Sequence, residues 1–232
     1  MLLLHAITAA EAPGPAGATS GLRGYPLRRI EHGGLAAWAT LWEPAAPPLD
    51  RCDLLASHRL LLALEDCVPA RLPTWVADEA ALATQLAERA AELSTALARL
   101  HGTAELALSV LWRDVPRAAD EPAPDVTDGP GAGTRYLRAR QRALAETDER
   151  RARGEALRAH VEQAAGPRLL ASRAEVCPSP HVALRVALLV PRAAAASVRA
   201  RVQTSLRRAD DVRILVNGPW PPYTFVGLGR EA

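Results

Sequence analysis

The ten residues Asn217-Gly218-Pro219-Trp220-Pro221-Pro222-Tyr223-Thr224-Phe225-Val226 constrain this chain more than any other stretch, because three prolines and three aromatics fall within residues 219–225. Proline fixes φ and drives the residue before it towards extended geometry, so Gly218 and Trp220 are both restricted. A stiff extended or polyproline-like strip is expected, and helix is excluded. Such a strip displays Trp220, Tyr223 and Phe225 at low entropic cost, which suits a clasp over its own domain or a surface for a partner. The clasp is favoured, since a large exposed aromatic patch on a soluble chain invites aggregation.

The remainder is ordinary in composition. At 232 residues, 49% hydrophobic and 23% charged, the chain can bury one large core or two small ones. Its 28 basic residues are all arginine and stand against 26 acids, a net charge of +2. Nucleic-acid binders show a marked basic surplus, so no nucleic-acid partner is expected. Cys52, Cys67 and Cys177 have no CxxC spacing, and an odd number argues against a disulfide framework. The apolar start, Met1 to Ile7, lacks a basic flank and reads as a first strand rather than a signal segment. No run reaches the ~20 apolar residues of a membrane helix, so a soluble cytoplasmic protein is expected.

Periodicity predicts the elements. Tyr25 to Glu31 and Leu35 to Trp42 form a hairpin around Gly33-Gly34. Asp53 to Asp66 is expected as a helix with Leu54, Leu55, His58, Leu61 and Leu62 on its apolar face, and Asp78 to Leu100 as a second helix capped by Asp78. Ala104 to Trp112 alternates as a half-buried strand that closes a first domain, residues 1–113. Residues 114–133 carry four prolines, three glycines and five acids, which marks a linker. In residues 134–232, a long helix to about Ala165 has an apolar seam at Leu137, Leu144, Leu157 and Val161, with Gly154 as a bend or break. Strands over Arg168 to Val176 and His181 to Val190, a short helix through Val198, Val202 and Leu206, and a strand through Val212, Ile214 and Val216 follow. Strands paired in hairpins argue for an α+β fold of two domains with mixed or antiparallel sheets. The C-terminal half would be ferredoxin-like without its leading strand.

Motifs for chemistry are missing. Gly129 to Thr134 precedes a helix but lacks a following Lys and a preceding strand, so it is no phosphate loop. The six histidines have no i, i+4 pair, and neither Ser57-His58 nor Cys177-Pro178 stands in a catalytic frame. No catalytic residue, cofactor or metal site is expected, and His58 reads as a packing histidine. The long helix interleaves arginines with acids, usually the mark of a solvated face. Its alternative use is to dock an acidic protein, with Arg138, Arg142 and Arg150 as candidates.

The string GPWPPYTFV resembles the C-terminal signature of the gas vesicle protein F/L family (GvpL/GvpF). Gly34-Leu35-Ala36-Ala37, Ser57-His58, Glu105 at the start of a strand, and Tyr136-Leu137 at the start of the long helix also fall in family order. The chain departs at Val68-Pro69-Ala70-Arg71-Leu72-Pro73-Thr74-Trp75, where the family tends to read LPLRFGT. The resemblance implies two α+β domains, the second a modified ferredoxin-like fold. It also implies a non-catalytic accessory protein of gas vesicle assembly. Such a protein would bind the hydrophobic shell subunit of GvpA type, meet other gas vesicle accessory proteins, and work in the cytoplasm or on the vesicle. Its tail residues Gly218, Pro219, Trp220, Pro221, Pro222, Tyr223 and Phe225 would serve structure or partner binding. The competing reading is a small-molecule-binding or enzymatic α+β protein using a cleft between its halves.

The linker assignment has a direct test. Limited proteolysis is expected to cut first within residues 114–133, and first cleavage between Asp78 and Leu100 would show the boundary to be misplaced.

Overall fold

A computed structural model describes residues 1–17, 20–43, 48–113, 131–177, 179–207 and 209–226. The fold is α+β, built on two four-stranded antiparallel sheets. The chain forms two compact units, one of Met1–Glu105, Pro191–Ala193 and the residues from Pro219 onward, the other of Leu106–Val190 and Ala194–Gly218. The expected linker lies outside the described residues except for its last three. Its final two, 132 and 133, already belong to a helix. No helix among the described residues is long and apolar enough to cross a membrane.

In the first unit, β1 (Leu2–Ala9), β2 (Leu27–His32), β3 (Leu35–Leu41) and β4 (Val68–Val76) lie in the order β2-β3-β1-β4. The β2–β3 hairpin turns through Gly33 and Gly34, as the sequence predicts. β1 is buried along nearly its whole length, which explains an apolar run in place of alternation. Its register steps by one on β3 between Leu4 and Ala6, so His5 is an inserted bulge residue. The insertion lets both Leu3, opposite Thr40, and Ala6, opposite Trp38, face the same side of the sheet. α1 (Arg51–Leu62), α2 (Glu79–Glu88) and α3 (Ala90–Leu100) complete the unit. The single helix expected over Asp78 to Leu100 is two, broken at Arg89, whose φ of −110° and ψ of 12° leave the helical region.

The second unit holds most of the other sheet, in which β5 (Thr103–Trp112), β6 (Ala171–Val176), β7 (Val182–Pro191) and β8 (Val212–Trp220) lie in the order β6-β7-β5-β8, together with α4 (Ala132–Ala165) and α5 (Ala195–Leu206). β5 does not close the first unit's sheet, as its sequence position suggests. Leu106, Leu108 and Val110 instead join a core with Leu184, Val186, Leu188 and Val190 of β7. The leading strand expected to be missing is therefore present as β5, and the order of elements through this sheet is β-α-β-β-α-β.

The seam predicted on α4 is split. Leu157 and Val161 are buried in this core, while Leu137 and Leu144 are 59% and 58% exposed. The helix is continuous from Ala132 to Ala165 and is not broken at Gly154. A Cβ there would stand 2.5 Å from Val176 Cγ1 and 3.2 Å from the Ala183 carbonyl, so glycine is what lets α4 approach the sheet.

His5 is fully buried, with Nδ1 hydrogen-bonded to Ser57 Oγ at 2.9 Å and Nε2 to Thr40 Oγ1 at 2.7 Å. In the neutral ring one nitrogen donates and the other accepts. Burial lowers its pKa to about 4, against an ordinary value of 6.5. The unfolded chain therefore binds the extra proton first as pH falls. The stabilisation is complete above pH 6.5 and is lost between pH 6.5 and about 4. It amounts to roughly 3 kcal/mol. Urea titrations across that range are expected to show the loss, and His5→Gln should flatten it.

Candidate functional site

The site begins with how α1 is turned. Asp50 caps the helix by accepting from the N–H groups of Cys52 and Asp53, and the Asp53 carboxylate accepts from the Asp50 N–H in return. Arg23 binds the same carboxylate through Nε at 2.9 Å and Nη2 at 2.5 Å. That guanidinium holds the Asp53 carboxyl below its usual range. Asp53 and, one turn on, Ser57 are thus buried by polar partners, and Leu60, Leu61 and Leu64 continue that side into the core. The apolar face predicted for this helix is not the buried one. Of its members only Leu61 is buried, while Leu54, Leu55 and Leu62 are 47%, 50% and 49% exposed.

The segment Val68 to Trp75, where the chain departs from the family pattern and for which no element is expected from periodicity, lies in the edge strand β4. Its pairing with β1 runs from Val76 to Thr74 and resumes only at Pro69, which leaves Ala70 to Pro73 out of register opposite the His5 bulge. Arg71 and Leu72 are carried out of the ladder there, in the way bulges re-aim side chains.

The tail supplies the remaining wall. Gly218 has a φ of +115°, open to glycine but not to other residues, and its carbonyl accepts from Arg199 Nη1 at 3.0 Å. The chain then enters the first unit, not the unit that precedes it in sequence. Pro221 and Pro222 are buried and Phe225 is 0% exposed. Contrary to the expectation of a wholly extended strip, Tyr223–Phe225 form a single 3-10 turn. The Glu105 carboxylate fastens it, accepting from the Thr224 N–H at 2.8 Å and the Thr224 hydroxyl at 2.7 Å. Arg99 Nη2 donates to the Phe225 carbonyl at 2.8 Å.

Tyr223 packs against the cluster of Ala6, Trp38, Leu61, Leu64 and Cys67. Burial pushes its phenol up to about 12, so it stays neutral. Trp220 stands edge-to-face with His58, ring centroids 4.2 Å apart, and Tyr223 stacks at 6.2 Å. His58 Nε2 is buried with no hydrogen-bond partner among the described residues, and burial lowers the pKa of this ring.

These elements enclose an open groove of about 600 Å³ lined by Leu54, Leu55, His58, Arg71, Leu72, Trp220 and Tyr223. Beneath the tail prolines a smaller cavity of about 180 Å³ reaches Cys67, whose thiol burial pushes up to about 12, outside the reactive range. The groove offers apolar area, two half-buried aromatics, one histidine and one arginine. Among the described residues no group of three or more His, Cys, Asp or Glu is placed to hold a metal. Arg138, Arg142 and Arg150 lie elsewhere, on α4. The first two are exposed, and Arg150 is half-buried and paired with Glu146 at 3.4 Å. Sequence reasoning singled out Trp220 and Tyr223 but missed Leu54 and Leu55 as surface residues, and Arg71, Arg99 and Glu105 as parts of the site. An acid at the start of an alternating strand was the one available signal for Glu105.

The profile of the gas vesicle synthesis protein GvpL/GvpF family matches residues 1–227. The chain belongs to that family. Its fold is similar to that of the gas vesicle protein GvpF from Anabaena sp. PCC7120, at 17% identity and a TM-score of 0.73, over 97% of this chain and 95% of that one. GvpF from Microcystis aeruginosa is similar at 17% identity and a TM-score of 0.75, over 97% and 98% of the two chains. No curated protein matches the sequence. Membership ties the chain to the making of gas vesicles.

Within this GvpL/GvpF chain the tail residues separate by burial, which sets their cost on truncation. Phe225→Ala is expected to lower the unfolding free energy by about 3–5 kcal/mol. Trp220→Ala should cost clearly less, because Trp220 is only partly buried while Phe225 is fully so. Equal shifts in the urea midpoint would contradict this division.

Proposed function

We propose that the protein is a non-catalytic accessory of gas vesicle assembly that binds the hydrophobic shell subunit and assists its delivery or nucleation. Family membership supports the setting. The single observation that carries the binding role is the apolar groove, in which Leu54 and Leu55 lie about half exposed beside Trp220 and Tyr223. Contiguous apolar surface of this kind marks interaction sites on soluble proteins. A subunit whose apolar face will meet gas aggregates if left bare in water. A partner that covers that face while the subunit is free shifts the balance towards the soluble form by mass action. The aromatics are already held by the tail's anchors, so binding needs little further ordering.

The groove is tested by co-expression with the shell subunit and affinity capture. Leu55→Asp keeps an exposed position exposed and should leave the urea midpoint unchanged. It is expected to reduce captured shell subunit by tenfold or more. Undiminished capture by a folded Leu55→Asp protein would remove the groove from the proposal.

A further inference from the structure

The groove carries more information about its occupant than apolarity. Of the seven residues that line it, Arg71 is the only one with a fixed charge. Its side chain is exposed, and no hydrogen bond or ion pair engages its guanidinium among the described residues. Two nearby arginines are engaged, Arg23 by Asp53 and Arg99 by the Phe225 carbonyl, while Arg51 and Arg59 of α1 do not line the groove. Arg71 is thus an uncommitted cation at the edge of an apolar surface, lifted there by the interruption in β4.

The backbone of β4 limits how an occupant can bind. β4 is an edge of its sheet, the usual template for adding a strand from a partner. Pro69 and Pro73 have no N–H to donate, and Ala70 to Pro73 do not follow a regular ladder. Strand addition is therefore blocked along the stretch that borders the groove. Recognition is left to side chains, between α1 on one wall and the tail aromatics on the other. That is the arrangement that receives an amphipathic helix through its i, i+3 and i+4 residues.

We propose that the segment of the shell subunit received here is an amphipathic helix bearing a carboxylate beside its apolar face, and that Arg71 pairs with that carboxylate. This rests on the binding role proposed above and adds the chemistry of the partner. A wholly apolar helix would cover Arg71 and leave a desolvated charge unpaired, which disfavours it. An acid at the flank turns the same residue into an attraction, and makes the groove selective rather than merely adhesive.

The test uses the full chain co-expressed with the shell subunit, in wild type and in Arg71→Glu, Arg71→Lys and Leu55→Asp variants. Arg71→Glu is expected to keep the wild-type urea midpoint and to lose tenfold or more of the captured subunit. Arg71→Lys should retain most of it, and wild-type capture should weaken as salt rises. An acid-to-Arg change at one shell-subunit position should restore capture by Arg71→Glu. If Leu55→Asp abolishes capture while Arg71→Glu matches wild type, the groove stands and the carboxylate proposal falls. If Arg71→Glu weakens capture but no acid-to-Arg change restores it, the ion pair is likewise overturned. A wild type that captures no shell subunit removes both readings. Self-association that is lost in Leu55→Asp, with no capture of the subunit, would assign the groove to a second copy of the chain instead.

Discussion

A buried carboxylate holds the site together. Glu105 is the last residue of the first unit before the chain passes into the second, and Thr224 follows the chain's return at Pro219. The two bonds that Glu105 accepts from Thr224, at 2.8 and 2.7 Å, tie the outgoing and returning segments within one unit. Neither group could be buried alone. Burial pushes the Glu105 pKa up and the two Thr224 donors draw it back down, while the Thr224 N–H, inside a single 3-10 turn, needs an acceptor of its own. With Thr224 fixed, Phe225 is fixed in the core beside it, and the positions of Tyr223 and Trp220 follow through the proline-restricted backbone.

Polar partners, not apolar periodicity, decide how α1 faces. Leu54, Leu55, Leu61 and Leu62 offer the helix a plausible apolar stripe, yet the side that is buried runs through Asp53, Ser57, Leu60 and Leu61. Asp53 is drawn in by Arg23, and Ser57 by the bulged His5. Each contact depends on a residue 30 or more positions away, at separations of 30 and 52. A local pattern cannot register them. The cost of burying Asp53 and Ser57 is offset by those bonds, and the displaced leucines become the groove wall.

The same contrast separates what could be read in the sequence from what could not. The hairpin at Gly33-Gly34, the regular β7 strand and the long α4 helix depend on local turn chemistry and period, and each lies where the sequence puts it. β4 was missed because Pro69 and Pro73 argue locally for a loop, while the strand exists through its long-range pairing with β1. The α2–α3 break has no Pro or Gly to announce it. β5 was recognised as a strand but given to the wrong sheet, since alternation identifies a strand without naming its neighbours. The aromatic tail was legible as a stiff element, but its one helical turn and its anchor on Glu105 were not, because both depend on a residue 119 positions earlier.

Clasp and binding surface, posed as alternatives for the tail, draw on different residues of it under the proposed binding role. Pro221, Pro222 and Phe225 face inward, whereas Trp220 and Tyr223 are half-buried and border the groove. A surface aromatic on a mobile segment would lose conformational freedom on binding and give up part of its contact energy. Here Trp220 is set between two prolines, one of them buried, and against His58, so that loss has already occurred on folding. The inward residues are therefore what make the outward ones effective. On the proposed binding role, exposed leucines can be tolerated beside them, because with a single uncommitted arginine at the rim the apolar area would favour a partner of matching shape and opposite charge over indiscriminate contact.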